Sequence, residues 1–217
     1  MNTQIEFKNE KCSGTLIVFE GLDGVGKTTV IERLAKDICD AIVTKQPTPF
    51  LRSTEIFRTF TDSPDHKGFE YRAMSVMAAA DRLQHVTQYI EPLLREGKTV
   101  ICDRYYYSCL ANLRARGYRR DRWVYELARY IQKPDIAFFL DVPVSTAVTR
   151  VRSRPEERDR FIDMELQYAL REEFINICEE NEGILVSTGT GEDFTYHQII
   201  TKVREVLNGK ASRRDHP

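Results

Sequence analysis

Residues 21 to 28 read Gly21-Leu22-Asp23-Gly24-Val25-Gly26-Lys27-Thr28, which fills every fixed position of the pattern Gly-x-x-x-x-Gly-Lys-[Ser/Thr]. The pattern is a phosphate-binding device. Its glycines let the backbone curl so that successive N–H groups point inward at phosphate oxygens. A helix that opens at the lysine adds the positive end of its dipole. In this arrangement Lys27 bridges the terminal phosphates and the Thr28 hydroxyl holds Mg²⁺, with Gly21, Gly24, Gly26 and Thr29 completing the cradle. The bland alternative is a Gly-rich turn between a strand and a helix. It would not require all four fixed positions to match, nor an apolar run before the loop and a helix-forming run after it.

Other residues fit phosphate chemistry by type and place. Asp103 closes the apolar run Val100-Ile101-Cys102, a position suited to a carboxylate that holds Mg²⁺ through water. Arg104 beside it could clamp a phosphate with its planar fork, or pair with Asp103 for purely structural reasons. Asp141 ends the run Phe138-Phe139-Leu140, where it is more simply a helix cap or structural group than a metal-side carboxylate. Residues 150 to 160 hold Arg150, Arg152, Arg154, Arg158 and Arg160 around Pro155. A run of charges is often a solvated face, but a proline-interrupted basic stretch between two helices suits a lid that closes over phosphates. Asp81-Arg82 is either surface charge on a helix or a phosphate contact. No Asn-Lys-x-Asp segment, Ser/His/Asp set or Cys/His pair competes with this reading.

The elements that must position these residues follow from periodicity. Strands are expected at about 15–20, 41–44, 99–102, 136–141 and 184–187. Helices are expected at about 26–38, 53–61 (capped by Ser53), 69–96 (interrupted at Pro92), 106–116, 122–132, 144–153, 160–181 and 194–207. Residues 62–68 read as a polar loop. Alternating strands and helices imply a five-stranded parallel sheet with helices on both faces. In such sheets ligands bind beyond the carboxyl ends of the strands, and the glycine loop, Asp103-Arg104 and Asp141 all fall at such ends. A flexible extension at 1–13, a single domain at 14–207 with its lid at about 152–160, and a flexible tail at 208–217 are expected.

Composition sets outer limits. A chain of 217 residues with net charge −1 offers no bulk electrostatic ground for nucleic-acid or membrane binding. No apolar stretch reaches membrane-spanning length. Five scattered cysteines without a CxxC pair favour reduced thiols and a cytoplasmic setting.

Taken in order, Phe19 to Thr29, Thr44-Lys45-Gln46-Pro47, Ala79-Ala80-Asp81-Arg82, Asp103-Arg104-Tyr105, Lys133-Pro134-Asp135, Leu140-Asp141-Val142-Pro143 and the arginine-rich lid resemble the thymidylate kinase family from about residue 15 to 207. The resemblance implies an α/β P-loop nucleoside monophosphate kinase fold that moves a phosphoryl group from ATP, with Mg²⁺, to dTMP. It implies Asp23 near the acceptor's sugar hydroxyl, Arg82 and Arg104 on its phosphate and base, and Arg150 near adenine. Lys45, Ala78, Ser108, Cys109 and Asn112 fall at other acceptor-side positions. Gly24 stands where one subgroup carries a catalytic arginine, so that arginine is expected from the lid, as Arg154, Arg158 or Arg160. A homodimer is also implied.

Departures concentrate at the base. The family's stacking phenylalanine is Ala78 here, a tyrosine is Asn112, and Thr-Arg-Glu-Pro has become Thr44-Lys45-Gln46-Pro47; Ile162 replaces a lid glutamate. An aromatic stack on a base is worth on the order of 1–3 kcal/mol. Phe69, Tyr71, Tyr106 and Tyr107 are candidate substitutes. Other acceptors on the same scaffold therefore stay open: dUMP, UMP, CMP, a modified pyrimidine nucleotide or a specialised non-nucleotide. A nucleotide-binding module without catalysis is the other-class alternative.

Overall fold

The computed structural model describes residues 4–62 and 70–214. The expected loop at 62–68, apart from Asp62, and the candidate ring of Phe69 lie outside the described residues.

Five parallel strands form one sheet in the order β2-β3-β1-β4-β5: β1 (Thr15–Glu20), β2 (Ile42–Lys45), β3 (Thr99–Asp103), β4 (Ile136–Asp141) and β5 (Ile184–Ser187). The central strands read as unbroken apolar runs because helices cover both faces; Leu16 to Phe19, Val100 to Cys102 and Phe138 to Leu140 are buried. The chain leaves β1 towards β2 and leaves β3 towards β4, in opposite directions across the sheet. Right-handed crossovers then place the two following helices on opposite faces, which opens a crevice between the ends of β1 and β3. The register sets Phe19 against Asp103 at that crevice.

Around the sheet run α1 (Lys27–Asp37), α2 (Pro49–Arg52), α3 (Glu55–Asp62), α4 (Tyr71–His85), α5 (Glu91–Arg95), α6 (Tyr106–Ala115), α7 (Trp123–Ala128), α8 (Val144–Arg152), α9 (Met164–Glu180) and α10 (Glu192–Arg214). The helical run read over 69–96 breaks before Pro92, as its missing N–H requires, into α4, a π-helical turn at Val86–Ile90 and α5.

Three expectations need correction, and of the two roles left open for Asp141 the structural one holds. Ser53 is not a helix cap: it ends α2, which opens at Pro49 where proline's fixed φ suits a first turn, and Thr54 accepts the Phe57 N–H at 3.3 Å instead. Asp141 does not cap α8; it takes a bidentate pair from Arg171 of α9, both bonds 2.7 Å. The N-terminal stretch is packed from residue 4 on. Ile5 is buried, the Phe7 ring sits 5.2 Å from that of Tyr107, and the Lys8 backbone exchanges hydrogen bonds with Ile131 and Lys133. The tail expected to be flexible from 208 is helical to Arg214. Lys210 supplies the reason: it pairs with Asp135 at 2.7 Å and donates to the Gly14 carbonyl.

Candidate active site

The glycine loop joins β1 to α1 and is pressed between neighbours. Gly21 has φ +127°, and a Cβ there would lie 2.3 Å from the Leu140 carbonyl oxygen; Gly24 has φ +83°, and its Cβ would lie 2.2 Å from that of Ala147. No L side chain fits either place. Gly26 caps α1, and Thr28 and Thr29 are exposed at its first turn. Thr188, just past β5, donates to the Val25 carbonyl at 2.7 Å, and Arg150 of α8 reaches Thr188 and the Gly24 carbonyl at 3.3–3.4 Å. The loop thus has a fixed shape before any phosphate arrives, with Arg150 packed beside it.

Lys27 is buried and donates to the carbonyls of Gly21 at 3.0 Å and Leu22 at 2.7 Å. Burial and the nearby Arg104 guanidinium pull its pKa down to about 7, against the opposing pull of Asp23, Asp103 and Glu20. Phosphate oxygens would restore its charge.

Arg104 lies at the end of β3 with φ +66°, a left-handed backbone conformation that costs a non-glycine residue free energy. That geometry serves the side chain, which donates to Asp23 at 2.6 Å and to the Ser108 hydroxyl at 3.3 Å. Ser108 donates in turn to Glu20 at 2.5 Å, and Glu20 also accepts the N–H groups of Tyr105 and Ser108 at the start of α6. Glu20 is fully buried, and burial pushes its carboxyl pKa up. Burial opposes the Arg104 charge, but Asp23, Glu20 and Asp103 outweigh it and hold Arg104 above its ordinary value. Asp23 likewise stays well below the usual carboxylate range: burial works against its charge, and Arg104, Lys27 and Arg160 prevail.

The lid arginines divide. Arg160 reaches Asp23 at 3.3 Å and Glu157 at 3.1 Å. Arg154 and Arg160 line the cleft that opens from the loop, whereas Arg158 does not. That cleft, about 720 Å³, is walled by α4, α6, α9 and the lid. It contains Asp23, Lys45, Ala78, Arg82, Arg104, Ser108, Cys109 and Asn112, so all the expected acceptor-side residues meet in one place. Arg82 is buried and donates to the carbonyls of Tyr105 at 3.0 Å and Ala78 at 2.9 Å. Lys45 pairs with Asp103 at 2.9 Å. Gln46 and Thr44 bracket the His85 ring at 3.0 and 2.9 Å.

The donor set for a metal is small. Among the described residues no cluster of three His, Cys, Asp or Glu side chains exists. Asp103 Oδ1 is buried without a partner, and Asp103 and the exposed Thr28 border a common cavity. One carboxylate, one hydroxyl and substrate phosphates are what Mg²⁺ takes in such sites, so these residues fit it.

At the base end no ring replaces the missing phenylalanine by simple stacking from α6. Tyr106 donates to the Val124 carbonyl and Tyr107 packs on Phe139, both within the core. Tyr71 alone of the described candidates lines the cleft, together with Phe57, Phe60 and Phe161. Four residues of the site carried no role in the sequence reading. Glu20 had a signal, a charge inside an apolar strand run. Thr188 sits at a strand end, another usable signal. Arg52 lines the cleft from α2, its pKa lowered by burial and by Arg104, and Arg116 stands at the far end; spacing marks neither.

A family model described as thymidylate kinase matches residues 19–199. A "Probable thymidylate kinase" of Pyrococcus horikoshii is 37% identical over 205 residues, covering 90% of this chain and 98% of that protein. One from Thermococcus kodakarensis is 35% identical over 203 residues, covering 89% and 98%. A solved thymidylate kinase from Candida albicans superposes with a TM-score of 0.67 at 24% identity, covering 93% of this chain and 94% of that one, and so shares the fold. With a phosphate loop, an arginine lid and an acceptor cleft meeting at the β1/β3 crevice, and a match across most of its length, the chain belongs to the thymidylate kinase family and is a phosphotransferase.

Proposed function

We propose that the protein transfers the γ-phosphoryl group of ATP to the 5′-phosphate of dTMP, giving dTDP and ADP. The observation that carries this reading is the placement of Arg104. Asp23 and Ser108 hold it at the mouth of the glycine loop, between a donor cradle and a cleft of nucleotide size.

The residues then divide the work. The loop N–H groups and Lys27 take the donor's β- and γ-phosphates. Arg104 takes the acceptor phosphate as a planar fork, with Arg52 and Lys45 nearby adding positive charge. The two phosphates would repel each other in water, so bringing them in line is the larger part of the task. Charge on the transferred group spreads over its equatorial oxygens, where Lys27 and Arg160 stabilise it. Asp23 holds Arg104 and Arg160 together and is free to exchange one of them for the acceptor's sugar hydroxyl. Mg²⁺ held by Thr28 and, through water, by Asp103 would neutralise charge shared by the donor phosphates. Arg150 lies on the donor side, beside the loop.

Lys27→Ala tests the mechanism: transfer measured by coupled ADP release should be lost with an unchanged circular dichroism spectrum. Retained turnover would refute the assignment. A panel of monophosphates tests the acceptor, and no rate with dTMP would overturn that part of the reading.

A second copy of the chain is the partner in this reading. Val43, Phe50, Val76 and Tyr89 expose apolar surface across β2, α2, α4 and the π turn, Phe50 being 81% exposed, and Val43, Phe50 and Tyr89 border a cavity of about 1150 Å³. Light scattering should return twice the 25.2 kDa chain mass; a monomer at micromolar concentration would rule the dimer out. A cytoplasmic setting suits the five free thiols.

A further inference from the structure

Glu20 closes β1 directly before the glycine loop and has no exposed surface. A carboxylate taken out of water at the end of an apolar strand costs free energy unless its oxygens are bonded. Here both are. Oε1 accepts the Tyr105 N–H at 2.8 Å and the Ser108 N–H at 3.1 Å, and Oε2 accepts the Ser108 hydroxyl at 2.5 Å. All three donors lie at the start of α6, whose own N-cap, Tyr105, supplies no side-chain bond. A helix cap delivered from the neighbouring strand is the plain reading of Glu20.

The same bonds enclose Arg104. Its N–H donates to the Phe19 carbonyl at 2.8 Å, its carbonyl accepts the Cys102 thiol at 3.0 Å, and the next N–H, that of Tyr105, goes to Glu20. The last two residues of β1 therefore hold the peptide groups on both sides of the left-handed residue, which is how such a conformation persists. At the side-chain end, the Ser108 hydroxyl that donates to Glu20 accepts from Arg104 Nη1 at 3.3 Å, while Asp23 accepts from Nη2 at 2.6 Å. These two anchors differ in kind. The Asp23 side chain is 46% exposed and is shared with Arg160, so it can exchange partners. Glu20 is enclosed, and its bonds run to backbone and to Ser108, so it stays.

We propose that Glu20 is a positioning residue for phosphoryl transfer: through Tyr105 and the Ser108 hydroxyl it sets the backbone and the plane of Arg104, and so the place of the acceptor phosphate. This rests on the kinase reading above and adds to it a residue that touches no substrate. Asp23 gives way as the acceptor's sugar hydroxyl arrives, and Glu20 keeps the arginine fork aimed. The aim matters because a misplacement of about 1 Å costs an in-line reaction on the order of a hundredfold.

The test uses Glu20→Gln, Ser108→Ala and the double variant. Glutamine keeps the shape and one acceptor oxygen for the α6 N–H groups, but turns an NH₂ towards Ser108, so the cap survives and the link to Arg104 is disturbed. Each single change should lower kcat/KM for dTMP by about tenfold, the scale of one hydrogen bond to a charged group. The double variant should stay within about twofold of the weaker single one, because both act through one hydroxyl. Thymidine lacks the phosphate that Arg104 takes, so its inhibition constant should move by less than about twofold, as should ATP affinity by calorimetry. A merely structural role would loosen the cleft for thymidine and dTMP alike, and that result overturns the proposal, as does Glu20→Gln with wild-type kcat/KM. Should Glu20→Gln fail to fold by circular dichroism, Ser108→Ala decides: a loss confined to dTMP supports the proposal, and no loss overturns it. In each of these cases the wild type still turns over dTMP and the kinase reading stands. A wild type that does not turn over dTMP overturns that reading and this proposal with it.

Discussion

Asp23 and Arg104 meet at 2.6 Å although they come from different strand ends, Asp23 from the loop after β1 and Arg104 from the residue after β3. The parallel register that sets Phe19 against Asp103 brings those ends together. The left-handed turn at Arg104 then swings its side chain across the gap. One ion pair thus ties the donor loop to the acceptor-binding arginine, and Arg160 joins it from the lid at 3.3 Å.

Asp23→Asn should therefore disturb two arginines at once. Steady-state kinetics should show kcat/KM for the acceptor falling at least about tenfold, the range for a charge-assisted contact in a site, with ATP affinity little changed. The arginines hold the Asp23 carboxyl well below the usual range against the opposing effect of burial. Its contribution is thus present above the ordinary carboxylate pKa and is lost only as pH falls through the lowered one. The rate profile should consequently show no acid limb from Asp23 near pH 4.

Lys27 gives the opposite pH signature. Its pKa of about 7 means that it is mostly neutral at pH 8. Because its folded pKa is below its ordinary value, the folded protein binds fewer protons than the unfolded chain between about pH 7 and the ordinary lysine pKa. This group makes stability rise with pH across that window. Donor phosphates push the pKa back up, so ATP binding at pH 8 should take up protons. Calorimetry in buffers of different ionisation enthalpy should give different apparent enthalpies, and Lys27→Met should abolish the difference. Equal enthalpies for the wild type would refute a neutral Lys27.

The lid offers a sharper comparison than its sequence allows. Arg160 touches the loop carboxylate, and Arg158 does not line the cleft. Arg160→Gln should lower kcat by about 10²–10³, the usual loss on removing one preorganised stabilising donor. Arg158→Gln should stay within about threefold. Reversed effects would show that closure re-sorts the lid, since lids commonly move on binding.

At the other end of the sheet, a chain ending at Leu207 would lose Lys210 and its pair with Asp135. That pair is part-exposed and worth about 1 kcal/mol or less. Together with the bond to the Gly14 carbonyl, its loss should lower Tm by about 2–4 °C in a chain of this size. An unchanged melting curve would mean that the last helical turns do no structural work.

Much of this was legible in the residues. Apolar runs bounded by breakers placed β4 and β5 to the residue, and the loop motif placed its own strand and helix. The glycine loop and Asp103-Arg104 follow from the rule that parallel sheets bind ligands at their carboxyl ends, whereas Lys45, Ala78, Cys109 and Asn112 are marked only by the family resemblance. What escaped was set by contacts distant in sequence. The helix beyond Asn208 depends on Asp135, more than seventy residues back. Ile5 and Phe7 alternate too briefly to announce a packed edge, and the rings of Tyr105, Tyr106 and Tyr107 are what Phe7 packs on. Nothing in its spacing marks Arg116, and only the fold puts the Tyr71 ring beneath its guanidinium. Asp141 resembled a cap because of its spacing from α8, and only the arrival of Arg171 from α9 revealed it as half of an ion pair.

The close approach of Gly24 to Ala147 has a wider consequence. The helix that carries the lid rests directly on the loop, with no room for even a methyl group between them. An arginine at the loop position would push that helix away and take the lid with it. The two places from which a catalytic arginine could be offered are therefore mutually exclusive in this backbone.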